Sequence, residues 1–465
     1  MWIQSRGRGF RTLLQGLALL AMLGPAGAVT ANPLDTFGYT SRAIGMGGGF
    51  TAAAEQHEAA YYNLAGIAGL ERVTAGAGLL VTGSWFEISG EEQPERWLTL
   101  VQLGLAAPLP LGERLSRRLF LGLAVSLPTE GLYHVDLPDD RAPVFPLLGE
   151  RNRRLSLVGG LAARLFDWWY VGLGVSLLPD VSASVLVDLK GAGGTNTAQI
   201  DVDYNVTAVA GMKFRPAEAW SVGLAYRGGH NTRIDLFPVR VDVAANLDPV
   251  QARVTAPAYA VPHALALGCE FVPSPDWTLA LDLTWAYYGD WRVAAPEVSL
   301  CAACPRECSG DDCPEHCRSG ACAPVFRDRS PAQRFHDSFM PRAGAEWRPL
   351  DGLALRAGYG YISSPVPSQR GFTNLLDGHR HAAAVGLGYT LADLPDGAPA
   401  SIALDAHVQM QVMPETGWDK DVADTDGDGV PDLYVEPRPD QPQVWPTVSG
   451  RAVLLSFGVE LRVEF

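Results

Sequence analysis

The end of the chain alternates with a period of two. From Ala452 to Phe465, Val453, Leu455, Phe457, Val459, Leu461, Val463 and Phe465 fall on one side, and Ala452, Leu454, Ser456, Gly458, Glu460, Arg462 and Glu464 on the other. Successive side chains of a strand point to opposite faces, so one face of this segment meets an apolar medium and the other a mostly polar or small one. The same ribbon recurs upstream. Ile200, Val202, Tyr204, Val206 and Ala208 oppose Asp201, Asp203, Asn205 and Thr207, and Leu279, Leu281, Leu283, Trp285 and Tyr287 oppose Ala280, Asp282, Thr284 and Ala286. Ile402, Leu404, Ala406, Val408, Met410 and Val412 oppose Ser401, Asp405, His407, Gln409 and Gln411. Strands buried on both faces would not read this way.

Strands are predicted near 71–84, 96–109, 118–129, 153–165, 168–189, 199–215, 220–244, 258–272, 277–295, 336–348, 353–363, 379–391, 399–412 and 450–465. The connections at 110–117, 166–167, 216–219, 273–276, 349–352 and 392–398 are short, whereas 85–95, 130–152, 190–198, 245–257, 296–335, 364–378 and 413–449 are mostly long. Outer-membrane barrels have an even strand number, short periplasmic turns and long external loops. The chain is therefore expected to be all-β, a fourteen-stranded antiparallel transmembrane barrel with both termini periplasmic. Short turns at Arg215-Pro216, Val272-Pro273 and Arg348-Pro349 lie close to Trp220, Trp277 and Leu353. Proline cannot donate to a ladder and so ends it, and tryptophan at that level suits an interfacial aromatic girdle better than the core of a sandwich.

Residues 32–70 do not alternate. Gly45-Met46-Gly47-Gly48-Gly49-Phe50 suggests a flexible turn entering a short helix near Thr51 to Ala54, with Tyr61, Tyr62 and Asn63 beyond. No Lys-Ser or Lys-Thr follows the glycines, which speaks against a phosphate loop. A compact segment ahead of a barrel is expected to lie inside it as a plug.

Ahead of that segment, Arg6, Arg8 and Arg11 precede an apolar run from Leu13 to Leu23 and small residues at Ala26-Gly27-Ala28 and Val29-Thr30-Ala31. This reads as a secretory signal over 1–31, too short for a spanning helix. Removing it changes the formal charge from 36 − 51 = −15 to 33 − 51 = −18, a balance that makes nucleic acid an unsuitable partner.

Several stretches together resemble one family, the FadL/TodX-type outer-membrane transporters of long-chain fatty acids and aromatic hydrocarbons. They are SRAIGMGGGFTAAAEQHEAAYYNLAGIAGL from Ser41 to Leu70, LRAGYGYISSPVP from Leu355 to Pro367, HAAAVGLGYTL from His381 to Leu391, and the terminal strand. The resemblance implies an amino-terminal hatch carrying Gly45, Gly47, Gly48, Gly49 and Phe50. It also implies an Asn-Pro-Ala motif whose positions here are Asn63, Leu64 and Ala65, the proline being replaced. It further implies passive movement of hydrophobic molecules from an external groove to an apolar pocket, then sideways through a kink in the third strand. Pro128 and Gly131 are the candidates for that lateral gate, and they read equally as the outer end of the strand.

Two long loops carry chemistry of their own. Cys301, Cys304, Cys308, Cys313, Cys317 and Cys322 crowd the loop 296–335, and an exported chain favours disulfides over the alternative of a thiolate metal site using Cys301, Cys304, His316 and Cys317. Cys269 lies on a strand and is left over as an unpaired apolar residue. In the loop 413–449, Asp424, Asp426, Asp428 and Asp432 space carboxylates as the opening of a calcium loop does, without the usual glutamate at the twelfth position, where Val435 stands. A Ca2+ site and a solvated acidic turn both fit. His379 and His381 share a strand face with only Asp377 nearby, and no Ser/His/Asp set emerges, so no enzyme is expected. The sequence thus leads to a monomeric outer-membrane barrel of a Gram-negative bacterium, needing no cofactor, with hydrophobic small molecules as ligands and outer-membrane lipid and lipopolysaccharide as surroundings. The other function class that fits is a barrel displaying its loops to an external partner.

Overall fold

The computed structural model describes residues 33–112, 118–131, 143–148, 154–188, 197–242, 250–288, 292–293, 297–301, 324–327, 333–369, 374–392, 394–395, 399–419 and 447–465. The signal at 1–31, Cys304, Cys308, Cys313, Cys317 and Cys322, and Asp424, Asp426, Asp428 and Asp432 lie outside the described residues.

Fourteen antiparallel strands form the wall. They are β1 (Thr74–Ile88), β2 (Arg96–Pro108), β3 (Leu119–Pro128), β4 (Ser156–Phe166), β5 (Trp169–Asp188), β6 (Thr197–Ala217), β7 (Trp220–Arg227), β8 (His263–Ser274), β9 (Trp277–Tyr287), β10 (Ser338–Leu350), β11 (Leu353–Ile362), β12 (Arg380–Ala392), β13 (Ser401–Asp419) and β14 (Thr447–Glu464). Each pairs with its neighbours in sequence, and β1 closes the ring against β14 from Thr74↔Glu464 to Ile88↔Gly450. Closure leaves no strand edge to be satisfied in lipid, which an open sheet could not manage. Among the described residues no helix is long and apolar enough to cross a membrane, a statement that does not touch barrels, which cross with strands.

The alternation sorts the two faces of the wall. Leu173, Leu267, Leu281, Val385, Leu404 and Val459 are exposed on the outside. On the inside Lys213, Glu270, Asp282, Glu346, Arg356, Asp405 and Glu460 are all buried. The apolar row of the terminal strand points outward, with Phe457, Val459, Leu461 and Phe465 exposed, whereas Glu460 points in. Aromatic rings mark both rims. Trp277 stacks on Trp347 at 5.7 Å and Trp220 on Phe271 at 4.3 Å beside the short turns, and Trp85 meets Trp97 edge-on at 5.7 Å at the opposite end. Paired aromatic girdles of this kind are what a barrel crossing two interfaces requires. Cys269 is unpaired and half-buried.

The strands run further than the alternation suggested. β13 continues to Asp419 and β14 restarts at Thr447, so the loop expected over 413–449 is shorter. The loop 245–257 is partly strand as well, because Val250–Val261 pairs with His230–Asp242, the outward continuation of β7. Within the cysteine loop Glu297–Cys301 is a strand on Val250–Val261, and Pro324–Arg327 pairs with it in turn. These extensions stand above the lipid belt, where neither face needs to be apolar and the period-2 signal fades.

One part of the wall departs from simple neighbour pairing. The β6/β7 ladder ends at Val209↔Arg227, with Gly228 N donating to Ala208 O just above. Beyond it β6 keeps only β5, while His230–Asp242 pairs in parallel with the outer end of β5, from Ala183↔Leu236 to Asp188↔Asp242. By contrast β3 runs against β2 from Pro108↔Phe120 to Leu100↔Pro128 and against β4 from Leu119↔Ala163 to Ser126↔Ser156 without a register shift.

Candidate functional site: the filled lumen and its outer cavity

Residues 33–70 form α1 (Pro33–Phe37), α2 (Ser41–Gly45), α3 (Ala59–Tyr62) and a 3-10 helix at Leu64–Gly69. Their hydrogen-bond partners lie on β2, β6, β9, β10, β13 and β14, on opposite sides of a closed ring, so the segment sits within it. Its own apolar residues, among them Tyr39, Ile44, Met46, Phe50, Leu64 and Ile67, are fully or almost fully buried.

The glycine cluster does the reverse of what its sequence suggested. The helix precedes the glycines, and they end it. Gly47 and Gly48 have φ of 69° and 73°, and Gly47 N donates to Ile44 O while Gly48 N donates to Ala43 O, satisfying two helix-end carbonyls. Only glycine takes this left-handed stop without strain. Residues 51–53 are a turn rather than a helix. Gly45 lies against the backbone of Gly386, and Phe50 is buried with Tyr62 at 5.7 Å and the Arg42 guanidinium 5.3 Å above its ring.

Asn63, Leu64 and Ala65 form a joint between the segment and the wall. Asn63 Nδ2 donates to Thr51 O and to Met212 O of β6, both at 2.9 Å, and its Oδ1 accepts from Ala65 N at 3.2 Å, capping the 3-10 helix. Leu64, which follows Asn63, takes no part in this cap, since Asn63 makes it with its own side chain. The Leu64 side chain presses on Gly122 and Gly160 of the wall.

Charged groups fix the rest. Arg42 reaches Glu346 through Nε at 3.0 Å, Arg356 meets the same carboxylate at 2.6 Å and Asp405 at 2.6 Å, and Arg462 stands 3.6 Å from Asp405. Glu460 accepts from Ser41 N at 2.7 Å and pairs with His57 Nε2 at 2.8 Å. Asp282 accepts from Thr51 N at 2.8 Å. Near the end of the barrel that carries the short turns, Glu55 pairs with Lys213 at 2.9 Å and with Arg215. Burial alone would lower the His57 imidazole and raise the Glu55 carboxyl, but neighbours outweigh it in both cases. Glu460 and Glu58 lift His57 above its ordinary value, and Lys213 and Arg215 hold Glu55 at about 2.

Above this segment, under the outer halves of β8 to β13, is a cavity that opens to solvent. Leu34, Phe37, Ile44, Leu147, Met340 and Ile362 give it apolar surface, and Arg227, Arg342 and Arg380 bring guanidinium groups to it. Arg227 pairs with Asp35 at 3.3 Å and lies 4.3 Å above the Tyr61 ring. Arg342 donates to neutral atoms, Thr284 Oγ1 at 3.1 Å and Met340 Sδ at 3.6 Å, and Arg380 reaches Gln411 Oε1 at 3.5 Å. Arg380 is 7% exposed, and its Nε has no hydrogen-bond partner among the described residues. Val144 joins the segments 143–148 and 374–379 through its backbone, its N donating to Asn374 O at 3.1 Å and its O accepting from Leu376 N at 2.8 Å.

The expected gate residues lie elsewhere. Pro128 is the last residue of β3, and Gly131, at φ 125°, stands beyond it with no described residue within 4 Å of the place a Cβ would take. His379 and His381 are exposed on the outer surface among Tyr359 and Tyr361, away from the cavity. The cavity arginines and the inward glycines were not singled out from sequence. Their signal was present, since Arg227, Arg342, Arg356 and Arg380 all interrupt alternating strands or their ends.

No family model and no curated protein matches the chain by sequence. Solved structures match over nearly its full length. A Pseudomonas aeruginosa FadL homologue aligns with TM-score 0.58 and 14% identity, covering 92% of this chain and 98% of its own. The toluene transporter TodX of P. putida gives 0.53 at 14% identity over 93% and 99%, and the toluene transporter TbuX of Ralstonia pickettii 0.50 at 13% over 92% and 99%. The chain therefore shares its fold, a closed fourteen-stranded barrel, with the FadL/TodX-type barrels over nearly its whole length.

Proposed function

We propose that this protein is an outer-membrane channel of a Gram-negative bacterium that takes up hydrophobic molecules passively, with the cavity above residues 33–70 as the binding site. The observation that carries this reading is the combination of a ring with an apolar outside, a lumen filled by its own chain, and a cavity of mixed apolar and cationic lining on the outer side of that filling. A filled lumen is poor at passing ions or sugars. An apolar solute, in contrast, gains from leaving water for such a cavity and needs no other driving force than its own gradient. Two of the structural neighbours are described as toluene transporters, which supports the reading.

Arg342 and Arg380 refine it toward an apolar body with an acidic head. Among the described residues their hydrogen bonds go to neutral acceptors, with Asp282 near Arg342 and Asp377 near Arg380 as acidic neighbours; Arg380 is buried and Arg342 half-buried, and a guanidinium with donors to spare is suited to a carboxylate. For exit the reading keeps a sideways route into the bilayer, because the segment below the cavity is bonded all round the wall. Pro128 and Gly131 would serve that route only at the outer rim of β3. The parting of β6 from β7 above Ala208 and Gly228, next to the cavity residues Arg227, Val261 and Pro262, is a second place for it.

Uptake of labelled oleate, an alkane and toluene by cells with and without the protein tests the proposal. Oleate uptake should fall at least about tenfold in Arg342→Ala/Arg380→Ala, the loss that about 1.4 kcal/mol of binding gives, while toluene is little changed. No protein-dependent uptake of any of the three, with surface binding through the loop 296–335 intact, would favour the loop-display role instead.

A further inference from the structure

We propose that residues 33–70 are the template on which the barrel closes, so that docking of this segment and pairing of β1 with β14 are one event. The inner wall is cut to the backbone of the segment. A Cβ on Gly172 would stand 2.7 Å from Ala65 N, and one on Gly122 3.0 Å from Ile67 Cδ1. On Gly211 it would collide with Asn63 Oδ1, on Gly223 with Thr51 O, on Gly344 with Met46 O and on Gly358 with Gly47 N. Inward glycines thus recur on β3, β5, β6, β7, β10 and β11 at the level of the segment. A strand glycine has nothing to pack with and weakens the ladder at its own position. Here the nearest atoms facing these glycines belong to the segment, so without it those positions of the wall lose their packing.

The seam is where this matters most. His57 wedges against Gly76 of β1 and Gly104 of β2, and its Nε2 pairs with Glu460 of β14 at 2.8 Å. Glu460 also accepts from Ser41 N. One side chain from the segment therefore touches both partners of the closing pair. His57 thus bridges Gly76 of β1 to Glu460 of β14 across the seam, where Gly76 pairs with Arg462 and Gly78 with Glu460, and bringing such distant residues together is entropically the most demanding pairing in the molecule. The segment is only a few residues from β1 in sequence. Once it captures Glu460, β14 is held beside β1 at high effective concentration, and the ladder can zip.

The test follows refolding of the full-length chain from urea into detergent micelles. Leu79→Cys and Val459→Cys, directly opposite across the seam and both exposed outside, report closure by cross-linking with peptide mapping. Protease protection of residues 33–70 reports docking. Gly211→Ala, on β6 far round the ring from the seam, should slow both signals together by at least about tenfold, while Gly159→Ala, where a Cβ has 3.4 Å of room, should slow neither. Seam cross-linking at the wild-type rate in Gly211→Ala while residues 33–70 stay protease-sensitive would overturn the proposal. So would unchanged rates for both signals.

Discussion

Thr40 carries the clearest local strain in the lumen. It is β-branched, yet its φ is 63°, and its buried hydroxyl has no partner among the described residues. It is held there by Gln102, whose Oε1 accepts from Thr40 N and whose Nε2 donates to Gly38 O, both at 3.0 Å. Positive φ at such a residue costs on the order of 1–3 kcal/mol, so Thr40→Gly should stabilise the protein by roughly 1 kcal/mol after the added backbone freedom of glycine is subtracted, measured by urea unfolding. Asn63→Ala acts oppositely. It strips partners from Thr51 O and Met212 O in a buried place and should cost about 2 kcal/mol, read as faster hydrogen exchange over residues 64–69. His57 and Glu55 set the pH window. With its folded value raised, the His57 pair with Glu460 stabilises fully below the free histidine value of about 6.5 and is lost as pH rises through the raised value. Glu55, held at about 2, contributes above the ordinary carboxylate range and loses its contribution as pH falls toward 2. Protease resistance of residues 33–70 should therefore be greatest in mild acid and decline toward alkaline pH, and His57→Gln should abolish the alkaline decline but leave the acid one. Asn63 and the glycines could be picked out from sequence, but their roles could not. A glycine run is compatible with entering or leaving a helix, and only the bonds from Gly47 and Gly48 to Ile44 and Ala43 decide.

At the scale of elements, alternation found every wall strand because lipid outside and a polar lumen inside impose opposite demands on successive residues. It placed the short turns near 166–167, 216–219, 273–276 and 349–352 and underestimated the outer ribbons at Val250–Val261, Glu297–Cys301 and the ends of β13 and β14. The outward face can be tested directly. Leu173 on β5 is 67% exposed toward the bilayer, and Leu173→Arg should cost about 2–4 kcal/mol if it lies near the midplane, seen as a smaller folded fraction on heat-modifiable gels from lipid vesicles. Asn205→Arg on the same hairpin, with its side chain on the lumen side of the alternation, should cost much less. Pro128 shows the limit of element-level reading. A proline after a strand is equally an end and a kink, and the unbroken β2/β3/β4 register is a property of three strands at once.

At the scale of the whole molecule, the buried bonds from residues 33–70 to strands all round the ring mean that the lumen stays filled in the resting protein. Purified protein in a planar bilayer should give no large, steady ion conductance, and porin-like steps would show that the segment leaves. The native barrel should migrate compactly in unboiled gels and shift on boiling, as a closed ring does. By itself the sequence determined the class of fold, the number of strands, the side each face takes and the presence of a separate segment ahead of the wall. These are consequences of local periodicity, and each strand carries its own share of them. The tertiary structure alone decided where that segment binds, which wall glycines receive it, how Arg42, His57 and Asp282 find their partners, and which residues line the cavity. Those facts join residues hundreds of positions apart, such as Ser41 and Glu460, and no period along the chain encodes a contact that exists only once the ring has closed.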